Sequence, residues 1–240
     1  MLWYFLKDEH MGVEKKYVEC YDRIAEDDLE KRIDKLGDLK YKLFIHLIGR
    51  RPEGKILDVG GADGEFLKKW NVNKNNAVIV DIARSYVNKA KRGGFKAIVG
   101  DAEKVDLGKK FDIIILSSVL EHVLGPEKLL LNVKKHMKNG AHIFILVPYK
   151  ENLEPYEKIK EKYEFTHLRS IDEKYVEKMA EKVGLKVVRM VPFLAQVPGQ
   201  TVFNIVRMAQ FIVPDNILCK IFKPSSLFVE LCLKDKKIKR

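Results

Sequence analysis

The stretch Lys55-Ile56-Leu57-Asp58-Val59-Gly60-Gly61-Ala62-Asp63-Gly64-Glu65-Phe66-Leu67 decides the reading of this chain. It begins with a short apolar run that does not alternate. That pattern suits a strand buried on both faces, as in a parallel sheet. Asp58 ends the apolar run, a glycine-rich turn comes next, and Phe66, Leu67 and Trp70 then fall on one helical face. The order is strand, tight turn, helix. Such a turn is expected to leave backbone N–H groups and a helix N-terminus free for a ligand, because first-turn donors lack intrahelical partners.

Two cofactor classes use this arrangement. The dinucleotide fingerprint G-x-G-x-x-G/A finds Gly60 and Ala62 in its first two places but Glu65 in its third. The spacing Asp58, Gly60, Ala62, Gly64 fits better, and it resembles the first motif of the class I S-adenosylmethionine-dependent methyltransferases. Ala62 departs from the usual glycine, though a small side chain still allows close backbone approach. A plain strand–helix turn of another α/β protein remains the alternative on this motif alone, so the segments beyond Leu67 have to decide between them.

Those downstream segments continue the resemblance. Ala77-Val78-Ile79-Val80-Asp81 reads as a second buried strand ending in a carboxylate that can accept from both ribose hydroxyls. Asp81 could instead cap a helix over 85–91. Lys96 to Val99 reads as a third strand, followed by Gly100-Asp101-Ala102, which resembles the adenine-binding segment of the family. Phe111 to Val123 reads as a fourth strand and its exit loop, with Ser117-Ser118 and Leu120-Glu121-His122-Val123, and resembles small-molecule methyltransferases. Pro126 opens a helix that Asn139-Gly140 is expected to stop. Ala141 to Pro148, Leu185 to Val191 and Ser226 to Leu233 supply strands five to seven, with Ser170 or Asp172 capping a helix before the sixth that ends at Gly184.

The expected fold is therefore α/β: a Rossmann-like, seven-stranded, mostly parallel sheet with helices on both faces and an antiparallel last strand. Residues 1–50 would form an N-terminal helical extension or lid, with Gly37 between two helices, and 51–240 the main domain. Tyr17 and Tyr21 resemble the tyrosines of such lids, with simple core packing as the alternative. A helical insertion at 194–224 carries apolar faces flanked by Arg207, Lys220 and Lys223. It would pack on the domain edge, or serve as an acceptor cap, a homodimer surface or a membrane-surface contact.

Composition narrows the function. The chain has 240 residues, 46% of them hydrophobic, enough for one sizeable α/β domain with additions. The formal net charge of +11 favours phosphates or acidic surfaces, but the lysines are scattered among carboxylates except in the tail from Lys234. Cys20, Cys219 and Cys232 form no C-x-x-C pair, so neither a metal site nor a disulfide framework is indicated, and a reduced, cytoplasmic setting is expected. The apolar start Met1 to Leu6 is too short for a signal segment, and no apolar run approaches the roughly 20 residues of a bilayer span.

What the resemblance implies is S-adenosyl-L-methionine-dependent transfer of a methyl group to a small-molecule O or N acceptor. Asp58, Gly60, Gly61, Ala62, Gly64 and Ser117 would hold the methionine end, Asp81 the ribose, and Ile82, Asp101 and Ala102 the adenine. His122 and His167 are the candidate general bases, since both come after strands at the edge where such sheets bind ligands. No Asn/Asp-Pro-Pro-aromatic and no Cys comes after the fourth strand, which argues against amino-purine and cytosine C5 methylation. RNA methylation and a non-catalytic scaffold role remain the alternatives.

Overall fold

The computed structural model describes residues 15–26, 35–157, 165–194 and 223–234. Strands β1 (Ile56–Val59), β2 (Ala77–Asp81), β3 (Lys96–Val99), β4 (Phe111–Ser117), β5 (Met137–Pro148), β6 (Leu185–Phe193) and β7 (Ser226–Leu233) form one sheet in the order β3-β2-β1-β4-β5-β7-β6. Strands β1 to β5 pair in parallel. β7 runs antiparallel to both of its neighbours, β5 and β6, as expected.

Period-two geometry explains the unbroken apolar runs. In β4, Ile114 and Leu116 face one core while Ile113 and Ile115 face the other. β5 divides the same way, with Ile143, Ile145 and Val147 against Phe144 and Leu146. A strand covered on both faces has no position for a solvated side chain, so alternation disappears from its sequence. The first core is closed by helices α5 (Pro126–Lys135) and α7 (Glu173–Val183), through Leu129, Leu130, Val133, Val176, Met179 and Val183, with the one-turn α6 (Glu154–Glu157) between them in the chain. The second is closed by α2 (Lys35–Ile48), α3 (Glu65–Lys69) and α4 (Arg84–Arg92), through Leu43, Phe44, Phe66, Leu67, Val87 and Ala90. A helix over residues 15–26, α1, lies on neither core. Its Tyr17 and Cys20 pack with Phe165, against Ile82 and Leu168.

Local signals place most boundaries. Pro126 occupies the first turn of α5, where its missing N–H is no loss. Asp172 caps α7 by accepting from the Tyr175 N–H at 2.8 Å, and Gly184 ends it at φ 68°. Two expectations are corrected. Gly37 lies within α2 and separates nothing. α5 ends at Lys135, so Asn139-Gly140 does not stop it. Instead β5 already starts at Met137, paired with Phe111, and Gly140 at φ 77° sits at an irregularity in the β4–β5 register. Most of the 194–224 segment, and the basic tail beyond Lys234, lie outside the described residues. Among the described residues, no helix is long and apolar enough to cross a membrane.

Candidate functional site

The carboxyl ends of β1 to β4 open into a cavity of about 490 Å³. β1 has β2 on one side and β4 on the other, so the cavity sits at the switch point of the strand order, where open α/β sheets bind ligands. Its size is that of a small-molecule site. Gly60, Ala62, Asp81, Ile82, Asp101, Ala102, Ser117, His122 and His167 all line it. Tyr17, Tyr21 and Ile24 of α1 line it too, so the tyrosines both cover the cavity and pack with Phe165. Tyr21 also donates its hydroxyl to the Phe165 carbonyl. α1 is docked at its other side by Asp22, which accepts the first N–H of α4, that of Arg84, at 2.7 Å.

Behind the turn lies a recess of about 20 Å³, lined by Asp58, Gly60, Gly61 and Ser117 among others. That is room for about one water-sized group. Asp58 is 1% exposed, and neither carboxylate oxygen has a hydrogen-bond partner. Burial, then the charge of Asp81, pushes its pKa up to about 8. The free protein therefore holds Asp58 mostly protonated at neutral pH, which is how a lone carboxyl tolerates burial. The Ser117 hydroxyl is likewise buried without a partner.

The glycines have specific reasons. A Cβ on Gly61 would stand 2.6 Å from Cγ of Asp58, so only a bare backbone fits over that carboxyl. Gly60, at φ 66°, would place a Cβ 2.5 Å from a methyl of Val119. Gly64 lines neither space. Its missing Cβ makes room for Ile79 and Phe95, so its part is packing.

Ala62 adopts φ 47°, a left-handed conformation that costs an L-residue roughly 1–2 kcal/mol. Its N–H donates to Oδ2 of Asp81 at 2.9 Å, and a hydrogen bond to a charged group contributes about 1.5–3 kcal/mol. The second effect wins, and the turn is clamped to the end of β2. Oδ1 of the same carboxylate accepts from Ala83 N–H at 2.9 Å. Asp81 does not cap α4, whose N-cap Ala83 has no side-chain hydrogen bond; its carboxylate closes a turn ahead of the helix while lining the cavity. Burial raises its pKa to about 6, with the Ala83 and Ala62 N–H groups opposing.

Three backbone donors of the turn are already engaged: Gly60 N–H donates to Val80 C=O, Gly64 N–H to Gly61 C=O and Ala62 N–H to Asp81. α3 spans five residues, too few for an N-terminal anion site. The buried side chains that line the recess without a hydrogen-bond partner are the Asp58 carboxyl and the Ser117 hydroxyl. The Asp101–Ala102 loop is held from behind by Asn132, whose amide donates to the carbonyls of Ala102 and Val105 at 3.1 and 2.8 Å. Sequence reasoning missed Asn132. Its signal was a polar residue on the buried face of α5.

The opposite wall comes from two distant segments. Arg169 donates to Leu120 C=O and Leu168 N–H to Glu121 C=O, tying the loop after β4 to residues 166–169. This brings the His122 and His167 rings edge to face, with centroids 4.6 Å apart. Nδ1 of His122 lies 3.1 Å from Thr166 C=O. A carbonyl only accepts, so that nitrogen carries the proton and Nε2 the lone pair. Nδ1 of His167 is bound to the Glu151 carboxylate, which assigns its Nε2 the same role. Burial lowers the His122 pKa, opposed by Glu121. Burial raises that of Glu151, but the hydrogen bonds from His167 and Tyr156 outweigh it and leave Glu151 below its ordinary value. Tyr156 stacks on His167 at 4.2 Å. Glu121, Glu151 and Tyr156 were not expected at the site, and only Glu121, beside His122, had a sequence signal.

Residues 21–190 match the family described as a methyltransferase domain. The chain belongs to that family. It is a methyltransferase, and its methyl donor is S-adenosylmethionine. An uncharacterised protein of Methanocaldococcus jannaschii is 27% identical over 184 residues, 75% of this chain and 83% of that one. A ubiquinone/menaquinone biosynthesis C-methyltransferase of Vibrio parahaemolyticus is 29% identical over 147 residues. That match spans 55% of this chain and 56% of the Vibrio enzyme, about half the length of each. Among solved structures, an S-adenosylmethionine-dependent methyltransferase of Thermotoga maritima, described as a possible histamine N-methyltransferase, has the same fold. It superposes with a TM-score of 0.64 at 17% identity, over 91% of this chain and 100% of that one.

The site suits such a donor on its own chemistry. A lone buried carboxyl and hydroxyl facing a small recess call for one cationic, hydrogen-bonding group, and the donor's amino acid end has an ammonium. The bare backbone over Asp58 and the acids at the ends of β2 and β3 complete a cradle, and among the described residues no lysine or arginine lines the main cavity.

Proposed function

We propose that this methyltransferase acts on a small-molecule acceptor through an oxygen or nitrogen atom presented to the His122–His167 wall. The observation that carries the reading is one cavity lined both by the strand-end acids Asp81 and Asp101 and by two imidazoles, each with an unprotonated Nε2. S-adenosylmethionine, when bound, supplies a methyl group made electrophilic by the neighbouring sulfonium charge. Asp58 and Ser117 would hold its ammonium end, Asp81 its ribose, and Ile82, Asp101 and Ala102 its adenine. Gly60 and Gly61 keep the backbone low enough for that approach.

The chain's remaining work is alignment, exclusion of water and proton removal. Tyr17 and Tyr21 cover the cavity from α1 and shed water from it. His122 and His167 accept the proton that an O–H or N–H acceptor gives up. Thr166 C=O and Glu151 fix both rings so that Nε2 is the basic atom, and Glu151 stabilises the imidazolium once His167 is charged. The test is methyl transfer to a panel of small hydroxyl and amine acceptors. Each His→Ala variant is expected to lose turnover while S-adenosylhomocysteine still binds. Unchanged turnover in both variants would discard the base assignment.

Methylation at carbon is a second reading, favoured by the similarity to the Vibrio C-methyltransferase. A carbon acceptor of that kind also loses a proton, so the same wall serves. Product NMR separates the two, since methyl groups on oxygen, nitrogen and carbon resonate apart.

A further inference from the structure

Among the described residues, one group of carboxylate and imidazole side chains comes close enough to share a cation: Glu121, His122 and His167. We propose that these three bind a divalent transition-metal ion of the zinc class, with an open position toward the cavity that takes the acceptor's heteroatom. The proposal rests on the functional reading above, because it replaces two free bases by one Lewis acid on the same wall.

Glu121 is 1% exposed, and neither of its carboxylate oxygens has a hydrogen-bond partner. An uncompensated carboxylate at that depth is costly. Nε2 of His122 stays 3.9 Å from its Oε1, too far for a hydrogen bond. In a tetrahedral zinc site, two atoms that each sit about 2.1 Å from the ion stand about 3.4 Å apart. The 3.9 Å gap between Glu121 and His122 is within about 0.5 Å of that spacing. The ligand atoms of all three residues lie within 4.8 Å of one another, so closure needs a shortening of about 1.4 Å or less in any pair.

The outer contacts match the inner ones. Both rings have Nδ1 engaged by an oxygen, the Thr166 carbonyl and the Glu151 carboxylate, and so turn the unprotonated Nε2 inward. Metal-bound histidines are typically held this way, because the outer partner sets tautomer and ring orientation. Two imidazoles and one carboxylate suit zinc or iron(II) better than magnesium or calcium, which prefer oxygen. Three protein ligands leave a fourth position, and His122 and His167 line the cavity while Glu121 does not. The open position therefore faces the acceptor.

The test is titration of the full chain with Co²⁺ and Zn²⁺, read by the visible d–d bands of cobalt and by anomalous scattering at the zinc edge. The expected result is one ion per chain, with its peak between the three side chains. Glu121→Gln, His122→Ala and His167→Ala are each expected to weaken binding by more than about 100-fold, and Glu151→Gln by about 10- to 100-fold. Ion binding at other histidines only, or equal affinity in wild type and Glu121→Gln, overturns the proposal. Affinity for S-adenosylhomocysteine and metal-free turnover are measured on the same samples. Metal-free turnover lost in the His→Ala variants, with no ion bound by wild type, sinks this inference and leaves the base reading standing. An ion bound at the three residues without methyl transfer to any acceptor does the reverse.

Discussion

The two ends of the cavity are built differently. The acid end is assembled from strand ends in a fixed local order, with Asp81 ending β2 and Asp101 after β3 in the cavity and Asp58 of β1 in the recess behind the turn. The histidine end is assembled by closure between segments 44 residues apart, with His122 anchored to Thr166. A local pattern therefore prescribes the first end, and tertiary contacts prescribe the second. The lesson is that substitutions at the two ends should separate binding from turnover.

The largest expected effect is at the histidine end. His122→Ala or His167→Ala is expected to cut the transfer rate by about 10²–10⁴-fold, the usual worth of a positioned proton acceptor. Calorimetric affinity for S-adenosylhomocysteine should stay within about twofold of wild type, a difference under about 0.5 kcal/mol. Parallel loss of both would break the separation of the two ends.

At the acid end, Gly60→Ala combines left-handed strain of about 1–2 kcal/mol with a Cβ driven into Val119. Cofactor affinity is expected to fall about 100-fold, the equivalent of about 2.8 kcal/mol. Calorimetry on protein shown folded by circular dichroism checks it. Wild-type affinity would mean that the turn does not touch the donor.

A subtler effect concerns protons. The folded-state pKa of Asp58, about 8, lies above its ordinary value of 3.8. Its protonation therefore favours the folded state below about pH 4, and that contribution is lost as pH rises through about 8. Thermal melts of the unliganded protein are expected to fall in midpoint from pH 5 to pH 8.5, and less steeply in Asp58→Asn. An ammonium arriving beside Asp58 should displace its proton. Titrations at pH 7 in buffers of different ionisation enthalpy should then show release approaching one proton per site in wild type and none in the variant.

The smallest expected effect is Ala62→Gly. It relieves the left-handed strain but loosens the unfolded chain, for a net gain of about 0.5–1 kcal/mol. The melting midpoint should rise by about 1–4 °C. A fall would mean that the Ala62 methyl has a packing role.

The same contrast explains what could be read from residues alone. The buried central strands were legible as unbroken apolar runs, because a strand covered on both faces leaves no other pattern, and the antiparallel β7 came from the resemblance to the family. Asp58, Asp81 and Asp101 were legible because each comes after such a run. Gly64 was assigned to the donor by its place in the motif, whereas its neighbours Ile79 and Phe95 make it a packing residue. Nothing in the order of residues reveals that Ala62 and Gly60 spend their N–H groups on Asp81 and Val80. Glu151, Tyr156 and Asn132 act across gaps in the chain, so only folding brings them to the site. The helix ends at Lys135 because β5 recruits Met137 as a partner for Phe111, a competition invisible to local propensity.

The central claim is that S-adenosylmethionine lies along the ends of β1 to β3 with its amino acid end beside Asp58. Difference density from crystals grown with S-adenosylhomocysteine tests it most directly. The account predicts the amino acid group in the recess beneath Gly60–Gly61, the ribose on Asp81 and the adenine between Ile82 and Ala102. Density with the adenine beside His122 and His167 instead, or a donor seated away from this cavity, would contradict it.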